Sequence, residues 1–132
     1  MTVRTVLVVD DNRINAKLLR LTLEAHGCLV RVAHDAPGAR AALAAWTPDV
    51  LLLHVPLPGE DGLALTRILR AEPATREIPI AIVTAYASAA DEERAYAAGA
   101  DAYVRKPIDT REIVRLVETL AAEGAAVRGT DA

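Results

Sequence analysis

The sequence predicts an α/β fold: a five-stranded parallel sheet of order 2-1-3-4-5, with helices on both faces in a three-layer sandwich. Three observations predict it. Five short aliphatic runs recur along the 132 residues, most without polar alternation, as strands covered on both faces require. Stretches with helical spacing separate them, so the order is βα repeated five times. Right-handed crossovers then leave few topologies. The length fits one domain with a real core.

The first run is Val6–Val9, entered directly from Met1-Thr2-Val3-Arg4 without a leader pattern. The helix after it carries the stripe Ile14, Leu18, Leu21 and Ala25. Gly27 stands where a helix ends in a left-handed residue. The second run is Leu29–Ala33, and Trp46 is a partly exposed apolar cap at the end of helix 2. The third and fourth runs are Val50–Leu53 and Ile80–Val83, and Tyr86 and Tyr96 flank the fourth helix. The fifth run is Ala102–Val104. The last helix has Ile113, Leu116, Val117 and Leu120 at i, i+3, i+4 and i+7, Asp109 or Thr110 as cap, and Glu112 in its first turn. From Gly124 the periodicity stops, so residues 3–122 are assigned to the domain and 123–132 to a frayed tail or linker. The strand order is flavodoxin-like, and its sites lie at the carboxyl ends of the strands, near the switch between strands 1 and 3.

Composition narrows the function. Apolar residues make up 52% and charged residues 25%, the balance of a soluble globular domain rather than a disordered chain. With 3% aromatics and no Phe, the core must be aliphatic. A net charge of -3 and few aromatics argue against a nucleic-acid partner. No apolar run is long enough to cross a membrane, and a cytoplasmic location is expected. The lone Cys28 excludes an internal disulfide and a Cys-rich metal site, and reads as a small core residue. His26 and His34 read as solvated.

The strand ends carry the chemistry. Strand 1 ends in Asp10-Asp11-Asn12, and strand 3 in Leu53-His54 before Val55-Pro56-Leu57-Pro58-Gly59. Strand 4 ends in Thr84-Ala85 and strand 5 in Arg105-Lys106-Pro107. One crevice thus gathers two carboxylates, an imidazole, a hydroxyl and an ammonium. Adjacent carboxylates favour a nearby cation: a divalent metal such as Mg²⁺, Lys106, or a protonated His54. No Gly-rich phosphate loop and no nucleophile–base–orienter trio is present, so an enzyme is not expected.

From about Val3 to about Ala122 the chain resembles the receiver domain of two-component response regulators. The resemblance rests on Val6-Leu7-Val8-Val9-Asp10-Asp11-Asn12, on Pro48-Asp49-Val50 leading to Pro58-Gly59-Glu60-Asp61-Gly62, on Ile82-Val83-Thr84-Ala85, and on Ala98-Gly99-Ala100-Asp101-Ala102-Tyr103-Val104-Arg105-Lys106-Pro107. It implies that Asp10 and Asp11 are the acidic pair that holds Mg²⁺, Thr84 the switch hydroxyl, Tyr103 the aromatic switch and Lys106 the phosphoryl-contacting ammonium. It also implies a cis Lys106–Pro107 bond and a metal-facing backbone carbonyl at Pro56. Partners implied are a histidine kinase, a phosphotransfer protein or a downstream effector. Ile14 and Leu18 on helix 1 are one docking face, and the helix 4–strand 5–helix 5 face, with Tyr86 and Tyr96, is a second that serves partner or homodimer contacts.

The departure from the family lies at strand 3, where the resemblance places the phosphate-accepting Asp and this chain has His54. Asp49 lies at the opposite end of that strand. The leading expectation is an atypical receiver that signals by protein contact without aspartyl phosphorylation. It requires no cofactor, and Mg²⁺ binding is weakened by His54. The alternatives are a working phosphorelay receiver, in which His54 is engineered or another acceptor serves, and a metal- or pH-sensing receiver using Asp10, Asp11 and His54. In the pH-sensing reading the carboxylates raise the His54 pKa, burial and Lys106 oppose them, and an imidazolium neutralises the pair.

Overall fold

Alternate residues of a strand face opposite sides of the sheet, so an unbroken aliphatic run feeds two cores at once. The computed structural model describes residues 4–57, 59, 61–85 and 88–130, with 125–130 described by backbone alone. The strands are β1 (Thr5–Val9), β2 (Leu29–Ala33), β3 (Val50–Val55), β4 (Ile80–Thr84) and β5 (Ala102–Arg105). They form one parallel sheet in the expected order β2-β1-β3-β4-β5. The helices are α1 (Arg13–Ala25), α2 (Ala36–Ala45), α3 (Gly62–Ala71), α4 (Ala89–Ala98) and α5 (Thr110–Thr130).

Strand parity sorts the side chains into two cores. Leu7, Val9, Leu51, Leu53, Ile80 and Ile82 pack with α2, α3 and α4 through Ala39, Leu43, Leu65, Leu69 and Ala95. Val6, Val8, Val50, Leu52 and Ala81 pack with α1 and α5 through Ala16, Leu19, Leu23, Ile113, Val117 and Leu120. The core is aliphatic throughout, and no helix among the described residues is long and apolar enough to cross a membrane.

Two helices differ from the sequence reading. The α1 stripe read from the sequence faces solvent, with Ile14 80% and Leu18 55% exposed, while Ala16, Leu19 and Leu23 are buried. The helix carries two apolar stripes, and the one containing the small Ala16 approaches the sheet. The second difference concerns α5, which continues to Thr130, past the expected boundary at Ala122 and through the residues read as a tail.

Local chemistry places the ends. Asn12 caps α1, its side-chain oxygen accepting from the backbone N–H of Ile14 and Asn15, each at 3.0 Å. Gly27 follows the α1 C-cap with φ +88°. Asp109 caps α5 by accepting from Arg111 N at 2.9 Å. At the amino ends of the strands, Thr5 N donates to Asp49 Oδ2 at 2.9 Å, which holds Asp49 at the pole opposite the carboxyl ends. Trp46 caps α2, packs on the core, and lies under the Arg31 guanidinium, 4.7 Å from the ring centroid. Arg70 clasps three segments: it donates to Gly99 O at 2.8 Å, to Ile78 O at 2.6 Å and to Asp101 Oδ2 at 2.6 Å.

Candidate functional site

The site follows from register. Val9 pairs with Leu53, so Asp10 and His54, each one residue further, emerge side by side at the carboxyl edge. Their parity is that of Val6, Val8, Val50 and Leu52, which is the α1/α5 side. Asp10 is 1% exposed and tied down from three directions. Its N–H donates to Ala33 O at 3.0 Å, and its Oδ1 accepts from Asn12 N at 2.9 Å. The His34 ring, through Nδ1–H, donates to its backbone carbonyl at 2.9 Å. Because Asn12 serves as the helix cap, the α1 N-terminus needs neither Asp10 nor Asp11 for that task.

The imidazole of His54 lies between the two carboxylates. Nδ1 stands 4.0 Å from Asp10 Oδ2, and Nε2 stands 3.7 Å from Asp11 Oδ1. Both distances exceed a hydrogen bond. The side chain is 12% exposed, and Nδ1 is buried with no hydrogen-bond partner among the described residues. Burial pushes the His54 pKa below the usual imidazole value. Asp10 and Asp11 pull it upward and Lys106 pushes it further down. The direction runs against the imidazolium of the pH-sensing alternative, because desolvation of the ring outweighs the pull of the two carboxylates.

Asp10, Asp11 and His54 each offer one ligand atom, all within 4.8 Å of one another, so the cluster could hold a metal ion. Lys106 acts on this cluster through its charge. Its backbone N–H donates to Thr84 O at 2.9 Å, and the Lys106–Pro107 bond is cis, as the resemblance implied. Lys106 lines a cavity of about 260 Å³ with Asn15, Leu18, Leu19 and Ile108. Pro56 follows on an exposed turn after a second cis bond, Val55–Pro56, which the sequence did not disclose.

Thr84 and Tyr103 share a cavity. Thr84 has the parity of Ile80 and Ile82, which face α2–α4. With Tyr103, Val55, Leu63 and Asp91 it lines a cavity of about 60 Å³. Thr84 is buried, and burial pushes the Tyr103 phenol pKa up. Ile14, Leu18 and Tyr96 are exposed, and Tyr86 lies outside the described residues.

His34 is a site residue that composition and motif missed, since it read as solvated; it is half-buried and bonded to Asp10. Its position directly after Ala33, on the strand neighbouring β1, was the available signal. His26 is exposed as expected, its ring bonded to Thr22 O at 2.9 Å. Cys28 is half-buried against the α1/α5 core, and burial pushes its thiol pKa up.

Residues 6–118 match the family model described as "Response regulator receiver domain". The chain is 38% identical over 115 residues to "Response regulator PleD" of Caulobacter vibrioides, an alignment covering 87% of this chain and 25% of that protein. The chain thus spans about a quarter of the length of PleD. It is 35% identical over 117 residues to "Polar-differentiation response regulator DivK" of Brucella anthropi, covering 89% of this chain and 93% of that one. Among solved structures it is similar to the receiver domain of sensor histidine kinase PA1611 from Pseudomonas aeruginosa PAO1, described with a magnesium ion coordinated in its active site cleft. There the TM-score is 0.83 at 29% identity, covering 92% of this chain and 99% of that one. By its family match, these relatives, the sheet order and the paired aspartates at the end of β1, the chain belongs to the response regulator receiver domain family of two-component signalling.

Proposed function

We propose that this receiver signals by protein–protein contact and does not take a phosphoryl group on a carboxylate, because His54 stands at the strand-3 end to which the resemblance assigns the acceptor Asp. The observation that carries the reading is the imidazole at the end of β3, 4.0 Å from Asp10 and 3.7 Å from Asp11. Asp49, the other acidic residue near β3, is bound to Thr5 at the far pole. An acyl phosphate needs a carboxylate, and a neutral ring buried beside two aspartates is a poor site for a dianion.

The domain then works as a binding module rather than a catalyst. Its contact surfaces are the exposed stripe of α1, with Ile14 and Leu18, and the α4–β5–α5 face, with Tyr96. Partners of the histidine kinase, phosphotransfer or effector class fit these surfaces, and a second copy of the chain fits the latter. Mg²⁺ suits the two carboxylates but not the imidazole, because hard cations take oxygen ligands. The donor set at this site therefore fits Mg²⁺ poorly.

Incubation with a small-molecule phosphodonor and Mg²⁺, read by intact-mass spectrometry, tests the reading. The chain should keep its mass. His54→Asp should gain one phosphoryl group, because it restores the carboxylate beside Asp10, Asp11 and Lys106. A phosphoryl group on the unaltered chain would overturn the proposal and support a working phosphorelay receiver.

A further inference from the structure

We infer that Asp10, Asp11 and His54 form a site selective for a borderline transition-metal cation of the Zn²⁺ or Ni²⁺ class over Mg²⁺. The inference goes beyond the signalling reading and does not depend on whether the domain accepts phosphate.

Geometry comes first. A tetrahedral ion bound at about 2.0–2.2 Å holds its ligand atoms about 3.3–3.6 Å apart. In His54, Nδ1 lies 4.0 Å from Asp10 Oδ2 and Nε2 lies 3.7 Å from Asp11 Oδ1; an ion takes one of the two nitrogens, and one ligand atom from each of the three residues falls within 4.8 Å of the others. An ion bound there would draw these atoms together. The separations are too long for hydrogen bonds, so closure breaks none between these groups.

The second observation is the unpartnered Nδ1 of His54, buried and facing Asp10 Oδ2. If Nδ1 carries the lone pair, that lone pair faces a carboxylate. If Nδ1 carries the proton, the carboxylate is too far to accept it. A cation between ring and carboxylate satisfies both groups, which no side chain among the described residues does at Nδ1.

Donor chemistry then selects the ion. Two carboxylates alone suit a hard cation, whereas one imidazole with two carboxylates suits Zn²⁺, Ni²⁺ and their neighbours. Around the ligands, the structure is built to hold them. Asn12 N donates to Oδ1 of Asp10, and the His34 ring holds the Asp10 backbone, leaving Oδ2 toward the His54 ring. Asp11 is exposed and gives the ion a path from solvent with room for water ligands.

Isothermal titration of the untagged, EDTA-treated and dialysed full chain with ZnCl₂, NiCl₂ and MgCl₂ tests the site. One Zn²⁺ or Ni²⁺ should bind per chain, at least about tenfold tighter than Mg²⁺. His54→Leu should weaken Zn²⁺ and Ni²⁺ by about tenfold or more while leaving the weak Mg²⁺ binding within a few-fold. His54→Asp should shift the preference back toward Mg²⁺. A long-range ¹H–¹⁵N spectrum should show His54 ring nitrogens, not those of His26 or His34, shifting on Zn²⁺ addition. Mg²⁺ binding as tight as Zn²⁺, or Zn²⁺ binding untouched by His54→Leu in a folded variant, would overturn the inference. Phosphorylation of the unaltered chain would overturn only the signalling proposal.

Discussion

Replacing His54 by Leu removes the buried Nδ1 that lacks a hydrogen-bond partner and puts a side chain of similar volume in its place. An unsatisfied buried polar group costs about 1–3 kcal/mol. Opposing this, the new methyl groups stand beside the Asp10 and Asp11 carboxylates and withdraw some of their solvation, about 1 kcal/mol. The net expectation is a variant up to about 2 kcal/mol more stable than the unaltered chain. With an unfolding entropy of about 2.1 cal/mol/K per residue, that raises Tm by up to about 7 °C. Thermal and urea unfolding should be followed with EDTA present, at about pH 7.5, where the imidazole is neutral in folded and unfolded chains alike. Acid adds a second signature. The folded-state pKa of His54 lies below its ordinary 6.5, so the unfolded chain binds the proton more tightly. The resulting penalty is absent above about pH 6.5 and grows as pH falls from there through the folded-state pKa. The unaltered chain should therefore lose stability relative to His54→Leu over that window. A His54→Leu chain less stable than the original at neutral pH, or a gap that narrows on acidification, would refute the reasoning. A gap that narrows on acidification would mean that the ring is held as a cation by Asp10 and Asp11.

Two further changes test the frame around the site. Gly99→Ala places a methyl group 2.6 Å from Arg70 Cγ at a residue with φ +115°, so it should cost about 2–4 kcal/mol in urea unfolding; a change under about 0.5 kcal/mol would show that the clasp around Arg70 is loose. Ile14→Lys and Leu18→Lys should each shift stability by less than about 0.5 kcal/mol, since both side chains are exposed, and a loss of 2 kcal/mol or more would return that stripe to the core.

Most of the sheet was legible in the sequence because its strands are buried on both faces. Runs such as Val50-Leu51-Leu52-Leu53 leave no solvent side on which to misjudge register. Helix α1 was not legible in the same way. It has two apolar stripes, and hydrophobicity favours the larger residues Ile14, Leu18 and Leu21, while the sheet accepts the smaller profile of Ala16, Leu19 and Leu23. The end of α5 was obscured by Gly124 and a weakening period. At the site, Asp10, Asp11, His54 and Lys106 were readable from their places one step beyond strand ends. The His54 charge state was not, because it depends on how much water the fold removes from the ring. The sides of the sheet to which Thr84 and His54 belong follow from strand parity: Thr84 ends on the parity of Ile82, and His54 on that of Leu52. The contact of His34 with Asp10 was not legible, since a ring at a strand end can turn to solvent equally well.

The position of Trp46 decides which optical measurements can see this molecule at work. It is the only tryptophan in the chain, and it sits at the end of α2 against Arg31, beside the strand entrances where Asp49 meets Thr5. Emission from that indole will report loss of the fold, quenched or released as the Arg31 stack opens. It will be nearly blind to an ion or partner arriving at the opposite pole. A silent fluorescence titration is therefore no sign of an empty crevice, and occupancy has to be read by heat, by mass or from the histidine nitrogens themselves.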